Sequence, residues 1–220
     1  MDQGSSRRRP GVTIGVLALQ GDFALHCQAL ARIGEASAEV RLPRQLEQVD
    51  ALIVPGGEST TLLKLLATWQ FVPALEEFHA SGRPIFGTCA GLILLAREVE
   101  SPRQPSLGFI DLSAERNAYG RQKESFETEG LADLGQGPRS LKMVFIRAPR
   151  IRRMGPGVTR LVMRADDCVM ARQGTVLVAA FHPELTDDQT VHRYFASMAR
   201  QAADGHDPHF LVDSQPLAGA

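Results

Sequence analysis

The chain has 220 residues, of which 44% are hydrophobic and 22% charged, and its 24 basic side chains nearly balance its 25 acidic ones. This composition excludes intrinsic disorder for most of the chain, and it argues against nucleic-acid binding, which needs a strongly basic face. Three cysteines are too few for a disulfide framework or a cysteine metal site. We therefore expect a reducing, cytoplasmic setting, with no metal and no cofactor.

The two ends of the chain are predicted to be flexible tails around one domain, residues 11–203. Residues 1–10 carry three arginines without a signal-peptide pattern, and residues 204–220 mix glycine, aspartate, proline and alanine. His206 and His209 in the second tail lack the neighbouring ligands that a metal site needs. No apolar run is long enough to span a bilayer, so we expect no membrane association.

The first half of the chain alternates short apolar strands with helices. Strands are predicted at Val12–Leu19, Ala38–Leu42, Ala51–Val54 and Pro84–Gly87, and helices at Phe23–Ile33, from Ser59 onward, in a second piece to about Ala80, and at Gly91–Arg97. Asp22, Ser59 and Thr60 are candidate N-caps. This alternation predicts an α/β fold, a three-layer sandwich with a central, mainly parallel sheet whose ligands lie at the carboxyl ends of the strands.

The second half is predicted to be mostly strands, closed by one helix. The strands are expected at Leu107–Arg116, Ser125–Glu129, Met143–Ile146, Thr159–Arg164, Val169–Arg172 and Val176–Phe181, and the helix at about Asp187–Ala203. We find no internal repeat and no long linker, so these strands are expected to join the same domain.

The segment Gly87-Thr88-Cys89-Ala90-Gly91 has the pattern of a nucleophile elbow, in which a strand turns sharply into a helix. The glycines allow neighbouring segments to approach closely. The thiol would sit at a helix N-terminus, where the dipole favours the thiolate and the N–H of Ala90 is free to bind an oxyanion. Taken alone, the segment fits a small buried cysteine in a tight turn equally well.

A candidate base follows a later strand, at His182-Pro183-Glu184. Proline keeps His182 extended, and residues two apart in an extended segment face the same side. A thiol needs a base to accept its proton, and the base needs an acceptor that fixes its tautomer. Cys89, His182 and Glu184 supply these three roles.

A third candidate is the glycine loop Pro55-Gly56-Gly57-Glu58-Ser59-Thr60, between a predicted strand and a predicted helix. Paired glycines let backbone N–H groups point into a cleft, where they bind an oxyanion or a carboxylate. A plain glycine turn with a serine cap is the alternative interpretation of this loop alone.

Together these segments resemble the glutaminase subunits of pyridoxal 5'-phosphate synthases, a branch of the class I (triad) glutamine amidotransferases. The matching segments are GVLALQG (15–21), PGGESTT (55–61), FGTCAGL (86–92), ERNAYGRQ (115–122), FIRAP (145–149) and FHPELT (181–186). The cysteine elbow and the His-Pro-Glu segment are shared with the wider superfamily, whereas GGEST, ERNxxGRQ and FIRAP are typical of this branch. The resemblance implies a flavodoxin-like fold, with residues 11–203 as a single glutaminase domain.

The resemblance also implies an activity, the hydrolysis of L-glutamine to L-glutamate and ammonia, and a partner, the synthase subunit that uses this ammonia to make pyridoxal 5'-phosphate. It assigns the nucleophile to Cys89, the general base and acid to His182, and its orientation to Glu184. The backbone amides of Gly57 and Ala90 are expected to form the oxyanion hole. The glutamine-binding positions are Gly57, Glu58, Ser59, Arg116, Ile146 and Arg147, and which arginine contacts the substrate stays open.

Other residues have less specific interpretations. Gln20, on the first strand-end loop, is a candidate for contact with the synthase, and the alternative is a turn side chain bonded to its own backbone. His26 lies on the apolar stripe of the first helix and is expected to be a packing or interface histidine. Cys27 and Cys168, without a glycine elbow or a nearby base, are expected to be structural.

Three other functions compete with a glutaminase. A thiol hydrolase or peptidase could use the same triad, although it needs no charged clamp for a free amino acid. A partner-binding protein without activity would not need the complete triad. A glutaminase that serves another synthase is disfavoured by the ERNAYGRQ and FIRAP segments.

Overall fold

The computed structural model describes residues 11–116, 118, 125–135 and 137–205. Both predicted tails, apart from residues 204 and 205, lie outside these residues, as do His206, His209 and most of the ERNAYGRQ segment. The helices are α1 Phe23–Arg32, α2 Ser59–Thr68, α3 Phe71–Ala80, α4 Ala90–Leu95 and α5 Thr190–Ala203. The strands are β1 Thr13–Leu17, β2 Ala36–Val40, β3 Ala51–Val54, β4 Ile85–Thr88, β5 Ala96–Glu100, β6 Ile110–Glu115, β7 Ser125–Asp133, β8 Pro138–Ile146, β9 Arg150–Met154, β10 Thr159–Arg164, β11 Asp167–Gln173 and β12 Val176–Ala179.

A large sheet forms the centre of the described residues, in the order β2-β1-β3-β4-β12-β11-β10-β7-β8. The first five strands are parallel, and the remaining strands extend the sheet in antiparallel pairs. Strands β3, β4 and β12 are buried along their whole length, as expected for parallel strands covered on both faces. The predicted α/β fold with a mainly parallel central sheet is confirmed.

Helices cover both faces of this sheet, and two neighbouring residues of β4 show how. Successive strand residues point to opposite faces. Phe86 contacts His26 of α1 and Phe195 of α5, with ring centroids at 6.5 and 5.4 Å, so α1 and α5 share one face. Gly87 faces the backbone of Gly91 in α4, which therefore lies on the opposite face. In the described part of the chain, no helix is long and apolar enough to cross a membrane.

A second, three-stranded sheet, in the order β5-β6-β9, was not anticipated from the sequence. The predicted helix Gly91–Arg97 is wrong at its end, because α4 stops at Leu95 and the chain continues directly as β5. The strand β9 was missed because Arg150–Met154 is rich in arginine. Its charges are balanced across the sheet, where Arg153 donates to Asp111 of β6 at 3.0 Å.

The helix caps differ from the prediction. Ser59 and Thr60 were expected to cap α2, but Glu58 is the N-cap, and its carboxylate accepts from the backbone N–H groups of Thr60 and Thr61. Asp22 precedes α1 as predicted, yet its side chain makes no capping hydrogen bond. Both acidic residues also line a cavity at the carboxyl edge of the sheet, where the loops after β1, β3, β4 and β12 meet.

Candidate active site

Cys89 occupies the tight turn between β4 and α4 that the sequence predicted. Its backbone angles are φ 48° and ψ −101°, a region that non-glycine residues rarely adopt and that costs about 1–3 kcal/mol. Its N–H donates to the carbonyl of Ala179 at 2.8 Å, which anchors the turn to β12. The side chain is buried and its Sγ lies 3.9 Å from the carbonyl oxygen of Ile146.

Gly91 explains the second glycine of the elbow. A Cβ added at this position would lie 2.1 Å from the backbone oxygen of Val54, at the end of β3. That contact is far inside van der Waals distance and involves backbone, which has little freedom to move. Glycine therefore allows α4 to pack against β3 and holds Cys89 at the edge of the sheet.

His182 and Glu184 lie beyond β12 and bind each other, as their spacing predicted. The ring Nδ1 of His182 and Oε1 of Glu184 are 2.7 Å apart, and both side chains are buried. The backbone of His182, with φ −107° and ψ 88°, is non-helical but falls short of the extended conformation that was predicted, and its N–H donates to the carbonyl of Val144 on β8. The histidine is thus fixed by its backbone as well as by its ring.

The charges at this pair favour an imidazolium and a carboxylate. Burial acts to lower the pKa of His182, but hydrogen bonds with Cys89 and Glu184 outweigh it and raise the pKa to about 10. Burial acts to raise the pKa of Glu184, but the hydrogen bond from His182 and the positive charge on that ring lower it overall. The raised pKa of His182 therefore favours transfer of the thiol proton from Cys89 to this ring.

The glycine loop after β3 is held by a side chain from the loop after β1. Nε2 of Gln20 donates to the backbone oxygen of Glu58 at 2.8 Å. Gly57 has φ +136°, a conformation suited to glycine, and a Cβ there would lie 2.7 Å from Nε2 of Gln20. The alternative interpretation of Gln20, a bond to its own turn, is not what the structure shows.

Glu58 is a fixed negative charge beside the cavity. Its carboxylate accepts from the hydroxyls and the backbone N–H groups of Thr60 and Thr61 at 2.5–3.2 Å. The hydrogen bond from the Thr60 side chain is the largest of the contributions that lower the pKa of Glu58 to about 2. The guanidinium of Arg116 lies 3.5 Å from the same carboxylate.

Two further predicted glutamine-binding residues, Ser59 and Arg147, are held in place by a hydrogen bond and by a strained backbone conformation, respectively. Ser59 is buried, and its hydroxyl donates to Oε1 of Gln104 at 3.0 Å, a partner that sequence reasoning did not find. Arg147 has φ 43°, a left-handed conformation that turns the chain sharply after β8. An arginine in this region is strained, and strain of this kind is concentrated at functional sites.

These residues surround a cavity of about 240 Å³, smaller than the clefts that take drug-sized ligands. The residues that line it are Asp22, Gly57, Glu58, Ser59, Cys89, Ile93, Arg116, Ile146, Arg147 and His182. Glu184 lies behind His182, and Ala90 begins α4 directly after Cys89. Sequence reasoning missed Asp22 and Ile93 as lining residues. The position of Asp22 two residues after Gln20, on the same strand-end loop, was the available signal.

Asp22, His182 and Glu184 form the described group whose ligand atoms come close enough for a metal, all within 4.8 Å of one another. The 2.7 Å contact between His182 and Glu184 is shorter than the separation of two ligands around a zinc ion, each about 2 Å from the metal. We therefore interpret the pair as hydrogen-bonded.

The remaining cysteines and His26 are buried or half-buried. Cys168 donates to the carbonyl of Met170 at 3.3 Å, and burial raises its pKa to about 11, which leaves it a neutral thiol. Burial also raises the pKa of Cys27. His26 is fully buried, and it contacts Glu184 as well as its packing neighbours.

Comparisons with known proteins agree with this geometry. Residues 16–201 match the model of the SNO glutamine amidotransferase family. The pyridoxal 5'-phosphate synthase subunit PdxT of Pelotomaculum thermopropionicum is 53% identical over 183 residues, covering 83% of this chain and 92% of that protein. The same subunit of Carboxydothermus hydrogenoformans is 51% identical over 183 residues, covering 83% and 95%. A crystal structure of a glutamine amidotransferase superposes with a TM-score of 0.79 at 49% identity, covering 85% of this chain and 98% of that one.

Proposed function

Because the chain belongs to the SNO glutamine amidotransferase family, we propose that it hydrolyses L-glutamine to L-glutamate and ammonia through Cys89, His182 and Glu184. The observation that carries this proposal is the arrangement of Cys89 and His182 on one small cavity, with the buried carboxylate of Glu184 at 2.7 Å from His182. The three residues follow the order nucleophile, base and orienting group.

In the first half of the reaction, His182 accepts the thiol proton and Sγ of Cys89 attacks the carboxamide carbon of glutamine. The carbon–nitrogen bond breaks, His182 gives the proton to the leaving nitrogen, and ammonia departs from a glutamyl thioester. In the second half, His182 takes a proton from water, the resulting hydroxide attacks the thioester carbon, the carbon–sulfur bond breaks, and the departing thiolate of Cys89 recovers that proton from His182. The sum is glutamine and water to glutamate and ammonia.

The oxyanion that forms in each half is assigned to the backbone amides of Gly57 and Ala90. Gly57 lines the cavity, and the N–H of Ala90 belongs to the first turn of α4, where backbone donors have no partner within the helix. Donors fixed before the reaction stabilise the developing charge without reorganisation.

The charges around the cavity suit a zwitterionic amino acid. Glu58 supplies an anion for the substrate ammonium, and Arg116 and Arg147 supply cations for its carboxylate. Ser59 and Ile146 complete the binding wall. Because Glu58 also holds Arg116 at 3.5 Å, we assign the direct carboxylate contact to Arg147.

We further propose that the ammonia passes to a pyridoxal 5'-phosphate synthase subunit, the assembly named for the relatives at about 50% identity. The synthase would dock at the loop that carries Gln20 and act, through the hydrogen bond from Gln20 to Glu58, on the loop that carries the Gly57 amide. The three free cysteines support a cytoplasmic setting for this complex.

Glutamate release, measured with and without the cognate synthase, tests the function. Cys89→Ala is expected to abolish turnover while its association with the synthase is retained. Cys168→Ala, at a buried cysteine outside the cavity, is the matched control and is expected to keep full activity. Turnover by Cys89→Ala at the wild-type rate would refute the triad, and inactive wild-type protein with the synthase present would refute the function.

A further inference from the structure

His26 is a buried histidine that the mechanism above does not use. It lies in α1 with no exposed surface. Its Nε2 is 3.3 Å from Oε2 of Glu184, the carboxylate that orients His182. A second imidazole therefore lies behind the triad, on the far side of Glu184 from His182.

The two oxygens of Glu184 have different surroundings. Oε1 takes the hydrogen bond with His182, whereas Oε2 is buried and has no hydrogen-bond partner among the described residues. A buried carboxylate oxygen without a donor is unfavourable, so the group that faces it matters. Nε2 of His26 meets hydrogen-bond geometry with the hydroxyl of Thr88 at 3.3 Å and lies equally close to Oε2 as a charge–dipole contact.

His192 of α5 contacts the ring of His26 and determines which nitrogen of His26 carries the proton. Nδ1 of His26 and Nε2 of His192 are 3.0 Å apart, and both rings are fully buried. Burial lowers the pKa of both histidines, and that of His192 to about 3. Both rings are therefore neutral, and each carries one proton.

Only two proton arrangements satisfy the contact between the rings. If His192 donates from Nε2, His26 accepts at Nδ1 and presents an N–H from Nε2 to Thr88 and Glu184. In the reverse arrangement, His192 carries its proton on Nδ1, which has no hydrogen-bond partner in the described chain, and His26 turns a lone pair toward a carboxylate. Because Nδ1 of His192 lacks a partner among the described residues in both arrangements, the other end decides. The first arrangement is favoured there because it places an N–H of His26 against the carboxylate of Glu184.

We propose that His26 is a positioning residue for the triad, held by His192 with its proton on Nε2. The inference rests on the proposed role of Glu184. The ring of His26 touches both Thr88, which precedes the nucleophile, and Glu184, which orients the base. It thereby sets the distance between the end of β4 and the turn after β12, on which proton transfer from Cys89 to His182 depends.

Substitutions of His26 test the role in the full chain with its cognate synthase. His26→Leu removes both ring nitrogens at similar volume and is expected to lower kcat about tenfold or more, with KM for glutamine within about twofold. His26→Gln keeps a side-chain N–H near the place of Nε2 and is expected to restore most of kcat. His79→Leu, at a histidine of α3 that stacks on Phe109, is the matched control. Equal loss in the leucine and glutamine variants, or an unchanged kcat in both, would overturn the proposal.

A second measurement does not depend on whether a variant folds. Nitrogen NMR of the wild-type chain labelled in its histidine rings reports which nitrogen carries the proton. We expect His26 neutral and protonated at Nε2 near pH 7, and a proton on Nδ1 would overturn the proposal. Wild-type protein without glutaminase activity would refute the proposed function instead and would leave the tautomer result standing.

Discussion

Gln20 donates from Nε2 to the backbone oxygen of Glu58 at 2.8 Å, so one side chain joins the loop after β1 to the loop after β3. This bond holds the carbonyl of Glu58, the residue after Gly57, and so restrains the loop that carries the Gly57 amide, which we assign to the oxyanion hole. The loop conformation at the cavity thus depends on a residue that the synthase would reach.

The first prediction follows from this bond. Gln20→Ala should reduce the stimulation of glutaminase activity by the synthase about five- to tenfold, the effect of one hydrogen bond worth about 1 kcal/mol. The ratio of rates with and without saturating synthase measures the effect. Gln28→Ala, at an exposed position of α1, is the matched control. A ratio equal to that of the wild-type chain would remove Gln20 from the activation route.

Local patterns in the sequence predicted the parts of the fold that are built from apolar runs. The bounds of β3 and β10 were predicted as Ala51–Val54 and Thr159–Arg164, which are the bounds observed. The elbow at Cys89 and the pair of His182 and Glu184 were also predicted, because their chemistry depends on neighbours within a few residues.

What sequence reasoning missed depends on distant contacts. The strand β5 continues directly from a leucine-rich helix, and only its pairing with β6 makes it a strand. Glu58 was not identified as the α2 cap, because serine and threonine are the commoner caps. His26 and His192 are 166 residues apart, and their contact through α1 and α5 leaves no local pattern.

The low pKa of Glu58 predicts an acid-sensitive contribution to stability. Because its folded pKa is about 2 and its ordinary value is 4.5, the contribution is complete above pH 4.5 and is lost as pH falls toward 2. Glu58→Ala should lower the free energy of unfolding by about 1 kcal/mol near neutral pH through loss of the cap.

Denaturant unfolding of both proteins at several pH values measures this difference. It should shrink steadily between pH 4.5 and 2, and Glu76→Ala, at an exposed glutamate of α3, should show no comparable trend. A difference that stays constant, or grows, as the pH falls would contradict the assignment of the low pKa to the cap.

Gly91 should tolerate no side chain. The added Cβ of Gly91→Ala would meet the oxygen of Val54 at 2.1 Å, so α4 and β3 must separate. We expect the free energy of unfolding to fall by about 1–3 kcal/mol and kcat to fall with it, since Cys89 moves with α4. Gly11→Ala, where a Cβ meets open space, is the control. Full stability and activity in Gly91→Ala would show that the close approach is not required.

Arg147 provides the test of how the substrate carboxylate is bound. Arg147 is exposed and lines the cavity, so Arg147→Ala should raise KM for glutamine about tenfold or more, the effect of losing one hydrogen bond to a charged group. The change in kcat should be smaller, because this contact is present before and during the reaction. Arg147→Lys keeps the charge but lacks the planar guanidinium, so its KM for glutamine should fall between the values of the wild-type chain and Arg147→Ala. If steady-state kinetics give Arg147→Ala the wild-type KM, the carboxylate contact belongs to Arg116, and the strained turn at Arg147 serves the fold.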